Sequence, residues 1–377
     1  MTFSTSSSSN VRIAVLAALA IAFLAGCATP GPQASAGGEA PRPTLRVLVL
    51  PPENLAQGPL ASREVTARLE QMVATVGADV VGGVKLDEYL ARYRIRYTGG
   101  VDPAAARAAR EDLGVDAILA TTVLLWGGAT PQVALVTRLV STADTPTVLW
   151  MDGYARTGDD SPGIFALSVV NDPQVLQAEA MQRIGRSLEA YLTRGARAGQ
   201  CSGGGWWRPR IAYRARPDER KVASIAVLPF VNETRRRGAG EVLALEFAWQ
   251  LANAEGFRVV EPGVVRDELL RRRIVMEDGV SLDQARVVSV ALDADLVLAG
   301  YVYDLEDGAG APVSNFSAMV IDRKTGRMVW QSTSHDKGND SETLFGLRRV
   351  TTAPLLTCRM AREVIDGMTG ARSLPSR

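Results

Sequence analysis

The strongest constraint on the fold of this 377-residue chain is a phrase that occurs twice, about 180 residues apart. In each copy an apolar run of β-formers meets a proline, and an asparagine follows three residues later. The matched blocks, in order, are Arg46–Asn54 with Ser224–Asn232, Asp87–Glu88 with Asp267–Glu268, Gly100–Val101 with Gly279–Val280, Leu113–Ala120 with Leu292–Ala299, and Val148–Trp150 with Met328–Trp330. A period this long is typical of a duplicated domain rather than a solenoid. The sequence therefore predicts two tandem copies of one α/β domain.

Hydrophobic periodicity gives the same order of elements in each copy, β-α-β-α-α-β-β-β-α. This order predicts the α/β (α+β) class, with a mixed β-sheet packed with helices in each half. The predicted organisation is a signal peptide over 1–26, a flexible tether over 27–43, domains over 44–194 and 222–368, a linker over 195–221 and a tail over 369–377. The tether follows from a Pro, Gly, Ala and Ser composition that buries little apolar surface.

The N-terminus predicts the compartment. Residues 13–23 form an apolar run too short to span a bilayer comfortably, and Leu24-Ala25-Gly26-Cys27 follows it. This tetrapeptide resembles a bacterial lipobox, in which the Cys27 thiol receives a diacylglycerol and further acyl chains such as palmitate. The alternatives are an ordinary secretory signal with a coincidental cysteine, or a short membrane anchor. Ala28 after the cysteine favours the outer membrane by resemblance to the usual sorting pattern.

The remaining cysteines, Cys201 and Cys358, form a disulfide or stay as two buried thiols; an oxidising periplasm permits the bond. The 42 basic and 41 acidic residues argue against a dedicated nucleic-acid binder. One histidine and three cysteines are too few for a zinc site, and we expect no metal, cofactor or small-molecule substrate. His335, in Ser334-His335-Asp336, is the one candidate catalytic histidine, without a Gly-x-Ser-x-Gly elbow. We therefore expect no enzyme.

Two surface patterns are candidate partner-binding sites. Trp206 and Trp207 are flanked by arginines, and exposed aromatics beside arginine are typical of interaction surfaces. The alternative is that both rings fill the groove between the two domains. Arg235-Arg236-Arg237 follows the first strand of the second copy and suits an acidic partner or anionic headgroups, or is simply a solvated loop.

Several blocks of the second copy also carry a family resemblance: Ile225–Phe230 with Asn232, Phe257–Glu261, Ala294–Gly300 and Ile321–Trp330. Together they resemble the periplasmic lipoprotein group around the curli secretion protein CsgG, whose fold is shared by the amino-terminal domain of TolB and by the penicillin-binding-protein activator LpoB. The resemblance covers 222–368 and, more faintly, 44–194. It implies a fold defined by core-shaping residues, with no catalytic centre.

These observations predict a non-catalytic adaptor or scaffold in envelope assembly or secretion, lipid-anchored to the periplasmic face of the outer membrane. Its partner would be an envelope protein or another copy of itself. The alternative is an oligomeric ring subunit of an export conduit. The segments between strands are too short and too irregular to supply the amphipathic hairpins of a transmembrane barrel, so the chain is not expected to form a pore by itself.

Overall fold

The computed structural model describes residues 44–128, 130–160, 169–201, 207–215, 222–274, 280–307, 311–340, 342 and 349–370. Cys27, Trp206, the signal peptide, the tether and the tail from residue 371 lie outside these residues. Residues 44 to 370 belong to one compact unit, so both predicted domains are parts of a single body.

The first half contains six strands and four helices. They are β1 (Arg46–Val49), β2 (Glu53–Asn54), α1 (Ser62–Thr75), β3 (Asp79–Val81), α2 (Val84–Arg92), α3 (Pro103–Leu113), β4 (Ala117–Gly127), β5 (Gln132–Ser141), β6 (Val148–Thr157) and α4 (Pro173–Arg194). The strands form a mixed sheet in the order β3-β1-β4-β5-β6, with β2 paired to β4. β1 is parallel to its neighbours, and β4, β5 and β6 form an antiparallel meander.

The second half repeats this plan with one additional strand. Its elements are β7 (Arg210–Arg214), β8 (Ala223–Val227), β9 (Val231–Asn232), α5 (Ala239–Asn253), β10 (Phe257–Val259), α6 (Pro262–Arg271), α7 (Leu282–Ala291), β11 (Leu296–Glu306), β12 (Val313–Asp322), β13 (Met328–Lys337) and α8 (Ala353–Thr369). The sheet order is β10-β8-β11-β12-β13-β7, with β9 paired to β11. The α+β class predicted from the sequence is confirmed.

The registers of the two sheets correspond residue by residue. Ala117 pairs with Ser141 in the first sheet as Leu296 pairs with Asp322 in the second. Each long first strand of the meander also has a register shift at the same place, between Val123 and Leu125 and between Val302 and Asp304. A bulge is a local feature that a common fold does not require. The shared bulge therefore supports the proposed duplication and fixes which residues are equivalent.

Helix ends follow local chemistry. Asp102 caps α3 by accepting a hydrogen bond from the backbone N–H of Ala105, and Gly114 ends that helix in the left-handed conformation (φ 62°). Ser281 and Gln284 form a capping box at the start of α7. These capping residues are visible in the sequence.

The elements stack in alternating helix and sheet layers. Helices α1 and α4 pack on one face of the first sheet, and α2 and α3 cover part of its other face. The remainder of that second face packs on α5 in a core shared by both halves. The layer of α5 and α8 has a second side, which faces away from the first sheet and packs on the second sheet. The opposite face of the second sheet carries α6 and α7. Helix α5 thus lies between the two sheets, and its residues Val242 to Leu251 are all buried.

The predicted linker, 195–221, contains a strand that the sequence did not reveal. β7 pairs antiparallel with the edge of β13, Tyr213 opposite Gln331 and Arg214 opposite Trp330. Its alternation of Arg, Ile, Ala, Tyr and Arg is weak as a β signal because the strand lies on an edge with most side chains exposed. Part of the predicted linker therefore belongs to the second sheet.

Candidate functional site

The residues shared by the two halves have structural roles in both. Asn54 Oδ1 accepts a hydrogen bond from the Ala56 N–H at 3.0 Å, and Asn232 Oδ1 accepts one from the Thr234 N–H at 3.0 Å. Both asparagines also donate Nδ2 to the carbonyl four residues on, at Gly58 and Arg236. These are Asx turns that shape the loop after the proline.

The aspartate shared by the blocks Leu113–Ala120 and Leu292–Ala299 is used in the same way in each half. Asp116 Oδ2 accepts a hydrogen bond from the Arg46 N–H at 2.9 Å, and Asp295 Oδ2 accepts one from the Ser224 N–H at 3.0 Å. Each carboxylate thereby holds the start of the central parallel strand. The motif residues that carry the family resemblance are therefore engaged in backbone support.

The Ser334-His335-Asp336 stretch does not form a catalytic triad. The three residues are consecutive on β13, so Ser334 and Asp336 point to one face of the sheet and His335 to the other. Ser334 and Asp336 are buried and His335 is exposed. Burial and the nearby Asp340 charge raise the pKa of Asp336 from 3.8 to about 7. This geometry excludes a hydrogen-bonded relay among the three side chains.

The arginine loop is divided between the surface and the interior. Arg235 and Arg237 are exposed, as predicted for a binding surface. Arg236 instead is buried, with Nη1 2.8 Å from Asp307 Oδ2 and Nη2 donating to the Leu124 carbonyl at 3.1 Å. A hydrogen-bonded charge pair holds this side chain between the two halves. The positive surface of the loop thus consists of Arg235 and Arg237.

Trp207 lies against the second sheet. Its Nε1–H donates to the His335 carbonyl oxygen at 3.2 Å, and its half-buried ring packs against the shared core. Arg208 next to it donates to Glu363 on α8 at 2.6 Å. A partner-binding role for Trp207 stays a prediction, with part of its ring already occupied by these contacts.

Cys201 and Cys358 are brought together beneath α5. Their Cα atoms are 6.2 Å apart, within the range of disulfides, and their sulfur atoms are in contact. Gln250 of α5 bridges them, accepting from the Cys201 N–H at 3.2 Å and donating to Cys358 Sγ at 3.0 Å. Of the two alternatives that the sequence left open, we propose the disulfide, to be tested by the intact mass before and after reduction and alkylation.

The seam between the halves carries a buried ion pair that the sequence analysis missed. Arg138 of β5 and Glu261 at the N-terminus of α6 are both fully buried, with Nε 3.0 Å from Oε2. Glu261 also accepts from the Val101 N–H at 2.9 Å, and Arg138 donates to the Gly99 carbonyl. An arginine inside the apolar run 133–140 is the signal that could have indicated a buried partner, because unpaired charges are rarely buried.

Glycines allow the halves to approach closely at the same seam. A Cβ at Gly153 would lie 2.5 Å from Trp249 Cζ3, so the indole ring of α5 lies directly on β6. Gly100 and Gly263 meet in the same way, backbone to backbone. Asn253 Nδ2 donates to the Met151 carbonyl at 3.0 Å. The face of the first sheet on which α5 packs is called the inner face below.

The loops after the two prolines also meet at the seam. They border a cavity of about 920 Å³, lined on one side by Asn54, Leu55 and Gln57 and on the other by Asn232 and Arg237. A smaller cavity beside it, about 50 Å³, is lined by Tyr97 and Arg266, whose guanidinium lies 4.0 Å from the centre of the tyrosine ring. Burial raises the pKa of Tyr97, so this phenol stays neutral at physiological pH.

The second sheet has a face equivalent to the inner face, and large side chains on it are exposed. Tyr301 and Tyr303 of β11 stand side by side with ring centroids 6.2 Å apart and planes within 5°. They are 36% and 44% exposed, and Thr333 and His335 of β13 are exposed on the same face. This surface, defined by Tyr301, Tyr303, Ser317, Gln331, Thr333 and His335, is called the open face.

Within the described ranges no helix is both long enough and apolar enough to cross a membrane. Among those residues there is also no group of three or more histidine, cysteine, aspartate or glutamate side chains arranged to hold a metal ion.

Comparison with known proteins identifies structural neighbours only. No family model and no curated protein matches the chain. A PelC dodecamer from Paraburkholderia phytofirmans is 17% identical, with a TM-score of 0.30 over 42% of this chain and 97% of that one. Lipoprotein GNA1162 from Neisseria meningitidis is 18% identical (TM-score 0.28, 38% of this chain and 99% of that one). The LpoB C-terminal domain from Salmonella enterica is 20% identical (TM-score 0.25, 30% of this chain and 82% of that one).

Proposed function

We propose that this protein is a non-catalytic adaptor or scaffold of the bacterial envelope, held by lipid at the periplasmic face of the outer membrane. One observation carries the proposal: α5 is buried between both sheets and joins the two halves into one body. The shared motif aspartates bind backbone, and the buried charges of Arg138 and Glu261 bind one another. Such a body presents several fixed surfaces at set distances, which suits a protein that positions others.

The exposed arginines of the loop after β9 offer one test of the adaptor role. We expect a photo-cross-linker placed at Trp207 in intact envelopes to yield one dominant adduct of defined mass. The double change Arg235→Glu and Arg237→Glu reverses the local charge and should abolish that adduct. Lys324→Glu, in the exposed turn between β12 and β13, is the matched control and should leave it unchanged. Recovery of abundant envelope proteins alone, equally in all variants, would contradict the proposal.

The lipid anchor is tested at Cys27. Several acyl chains hold a protein on a membrane almost permanently, since each buried methylene contributes about 0.8 kcal/mol. Labelled palmitate should enter the wild-type chain and the control Cys201→Ser, and should be lost from Cys27→Ser. Incorporation that survives Cys27→Ser would contradict lipidation at this cysteine.

The second function that we propose is that of a ring-forming subunit of an export conduit. The open face of the second sheet favours it, because the equivalent face of the first sheet is an interface. Light scattering on the purified chain separates the two functions: a closed oligomer of fixed size supports the ring, and a monomer or dimer supports the adaptor.

A further inference from the structure

We propose that the open face of the second sheet binds the α1/α4 layer of a second copy of this chain, in the geometry by which the inner face binds α5. The inference deepens the ring-forming function by naming the surface and the partner. It rests on the correspondence between the two repeats, and its failure leaves the adaptor function untouched.

The strand registers assign a counterpart to each inner-face residue. From the inner face to the open face, the equivalent pairs are Thr122 and Tyr301, Leu124 and Tyr303, Val136 and Ser317, Met151 and Gln331, Gly153 and Thr333, and Ala155 and His335. Leu124, Val136 and Met151 are at most 1% exposed because α5 covers them. The molecule therefore contains one covered and one exposed example of the same surface.

The covering layer also exists twice. Helices α1 and α4 occupy in the first half the places of α5 and α8 in the second, since α1 follows β2 as α5 follows β9. The buried residues Val65, Leu69 and Val73 of α1 correspond to Leu243, Phe247 and Leu251 of α5. By the same offset the outward Trp249 corresponds to Gln71, which is exposed. Among the residues that the structure describes, one end is thus an exposed helix layer, and the other end is an exposed sheet face.

The shapes of the two ends are complementary. A groove of about 540 Å³ runs between α1 and α4 and is lined by Met72, Met181 and Gly185. By the offset that relates α1 to α5, Met72 corresponds to Gln250, which follows Trp249, and the Trp249 ring touches Gly153, the counterpart of Thr333 on the open face. Methionine sulfur contacts aromatic rings favourably, so a tyrosine is a suitable side chain for this groove.

The chemistry of the two ends makes the contact reversible. The intrachain seam is locked by Arg138 and Glu261, and their counterparts by register are Met319 and Gly82. Tyrosine, serine, glutamine, threonine and histidine on the open face take the places of Thr122 and of the apolar residues of the inner face. The contact between two copies therefore lacks a buried charge pair. When the copies are apart, the polar side chains of the open face keep it soluble. A head-to-tail contact of this kind is heterologous, so repetition builds a ring or a filament.

The test is a cross-link between two different variants. In the intrachain seam the Trp249 ring touches Gly153. Gln71 is the counterpart of Trp249, and Thr333 is the counterpart of Gly153. Full-length chains carrying Cys27→Ser and either Gln71→Cys or Thr333→Cys are purified, mixed and oxidised over a concentration series. We expect a disulfide-linked dimer in the mixture and its absence from either variant alone. Lys85→Cys, exposed on α2, replaces Gln71→Cys as the matched control and should give no dimer.

A surface change provides the second measurement. Tyr303→Arg places a charge in the middle of the open face and should abolish both the mixed cross-link and association in sedimentation, whereas Tyr93→Arg, at another exposed tyrosine, should change neither. Absence of the mixed dimer overturns the proposal. If light scattering then shows oligomers, the ring function survives with a different interface; if it shows monomers throughout, the ring function fails as well and the adaptor stands.

Discussion

At the residue scale, Glu246 is the clearest case of a side chain governed by its surroundings. It lies on α5, is 2% exposed, and its Oε2 has no hydrogen-bond partner among the described residues. Burial raises its pKa well above 4.5 because an ionised carboxylate is poorly solvated in an apolar interior. The native protein therefore holds Glu246 in its neutral form over a range in which the unfolded chain releases the proton.

This difference makes stability depend on pH. Below pH 4.5 the group is neutral in both states; above it, the free energy of unfolding falls as pH rises, by at most about 1.4 kcal/mol per pH unit, until the raised native pKa is passed. Glu246→Gln removes the proton linkage. We expect its stability, from urea unfolding at several pH values, to decline less with pH than that of the wild type. An unchanged slope would contradict a neutral Glu246.

Asp336 gives a second pH window, which extends from 3.8 to about 7. Its pKa rises from 3.8 in the unfolded chain to about 7 in the native protein, first through burial and then through the charge of Asp340. Its contribution to stability is complete below pH 3.8 and is lost as pH rises through about 7. Asp336→Asn should flatten the stability profile between these limits.

Asp340→Asn is the companion variant for that window. Removal of the Asp340 charge leaves the burial of Asp336 in place but lowers its pKa, so the decline in stability should end at a lower pH than in the wild type. Carbon-13 NMR of the labelled Asp336 carboxyl group reports both shifts directly. A titration of Asp336 near its unfolded value in the wild-type protein would contradict the argument.

At the element scale, the contact between α5 and β6 depends on a missing side chain. A methyl group at Gly153 would lie 2.5 Å from the Trp249 ring, which is 6% exposed and has little room to move. We expect Gly153→Ala to destabilise the protein by about 1–3 kcal/mol through overpacking. Gly199→Ala is the matched control, since a Cβ there meets no atom within 4 Å.

A second change separates this contact from a local effect on the strand. Trp249→Leu alone removes packing and should cost stability, but it also creates space beside Gly153. In the double variant Gly153→Ala and Trp249→Leu, the cost of the first change should be largely absent. If the losses of stability of the two single variants simply add in the double variant, as measured by urea denaturation, the effect of Gly153→Ala does not come from its contact with Trp249.

Most elements could be predicted from the sequence, and the reasons are local. Asp102-Pro103 and Gly114 mark both ends of α3, and Asp322 Oδ1 accepts a hydrogen bond from the Thr325 N–H at 2.8 Å in the turn between β12 and β13. The short strands β2 and β9 and the edge strand β7 were missed, because two residues or an exposed edge leave little periodicity. The sequence predicted the fold class but not the order of the strands within each sheet.

The seam could not be predicted because its causes are not local. Helix α5 is apolar on all sides, which indicates burial on all sides, but the sequence does not say against what. Arg236 is indistinguishable from its neighbours Arg235 and Arg237 until Asp307 and the Leu124 carbonyl are placed around it. The same holds for Arg138, whose partner Glu261 is 123 residues away.

At the scale of the whole molecule, the ion pair at the seam determines how the halves depend on each other. Arg138→Met leaves Glu261 buried without its counter-charge, and breaking such a pair typically costs about 3–5 kcal/mol. Met319 occupies the position in the second sheet that is equivalent to Arg138, so a methionine side chain fits this place in the sheet. Most of the cost should be recovered in Arg138→Met with Glu261→Gln, and a double variant as unstable as Arg138→Met would contradict this account.

The shared layer of α5 and α8 further predicts that the two halves unfold together. If the second half unfolded alone, Leu124, Val136 and Met151 of the first sheet would lose their cover and be exposed to water. That exposure opposes a half-folded intermediate. Hydrogen exchange followed by mass spectrometry over a urea series should give the same midpoint for β4 and β11. In Arg138→Met both midpoints should fall together, because the charge pair belongs to the seam, whereas a fall confined to β4 would show that each half folds as an independent domain.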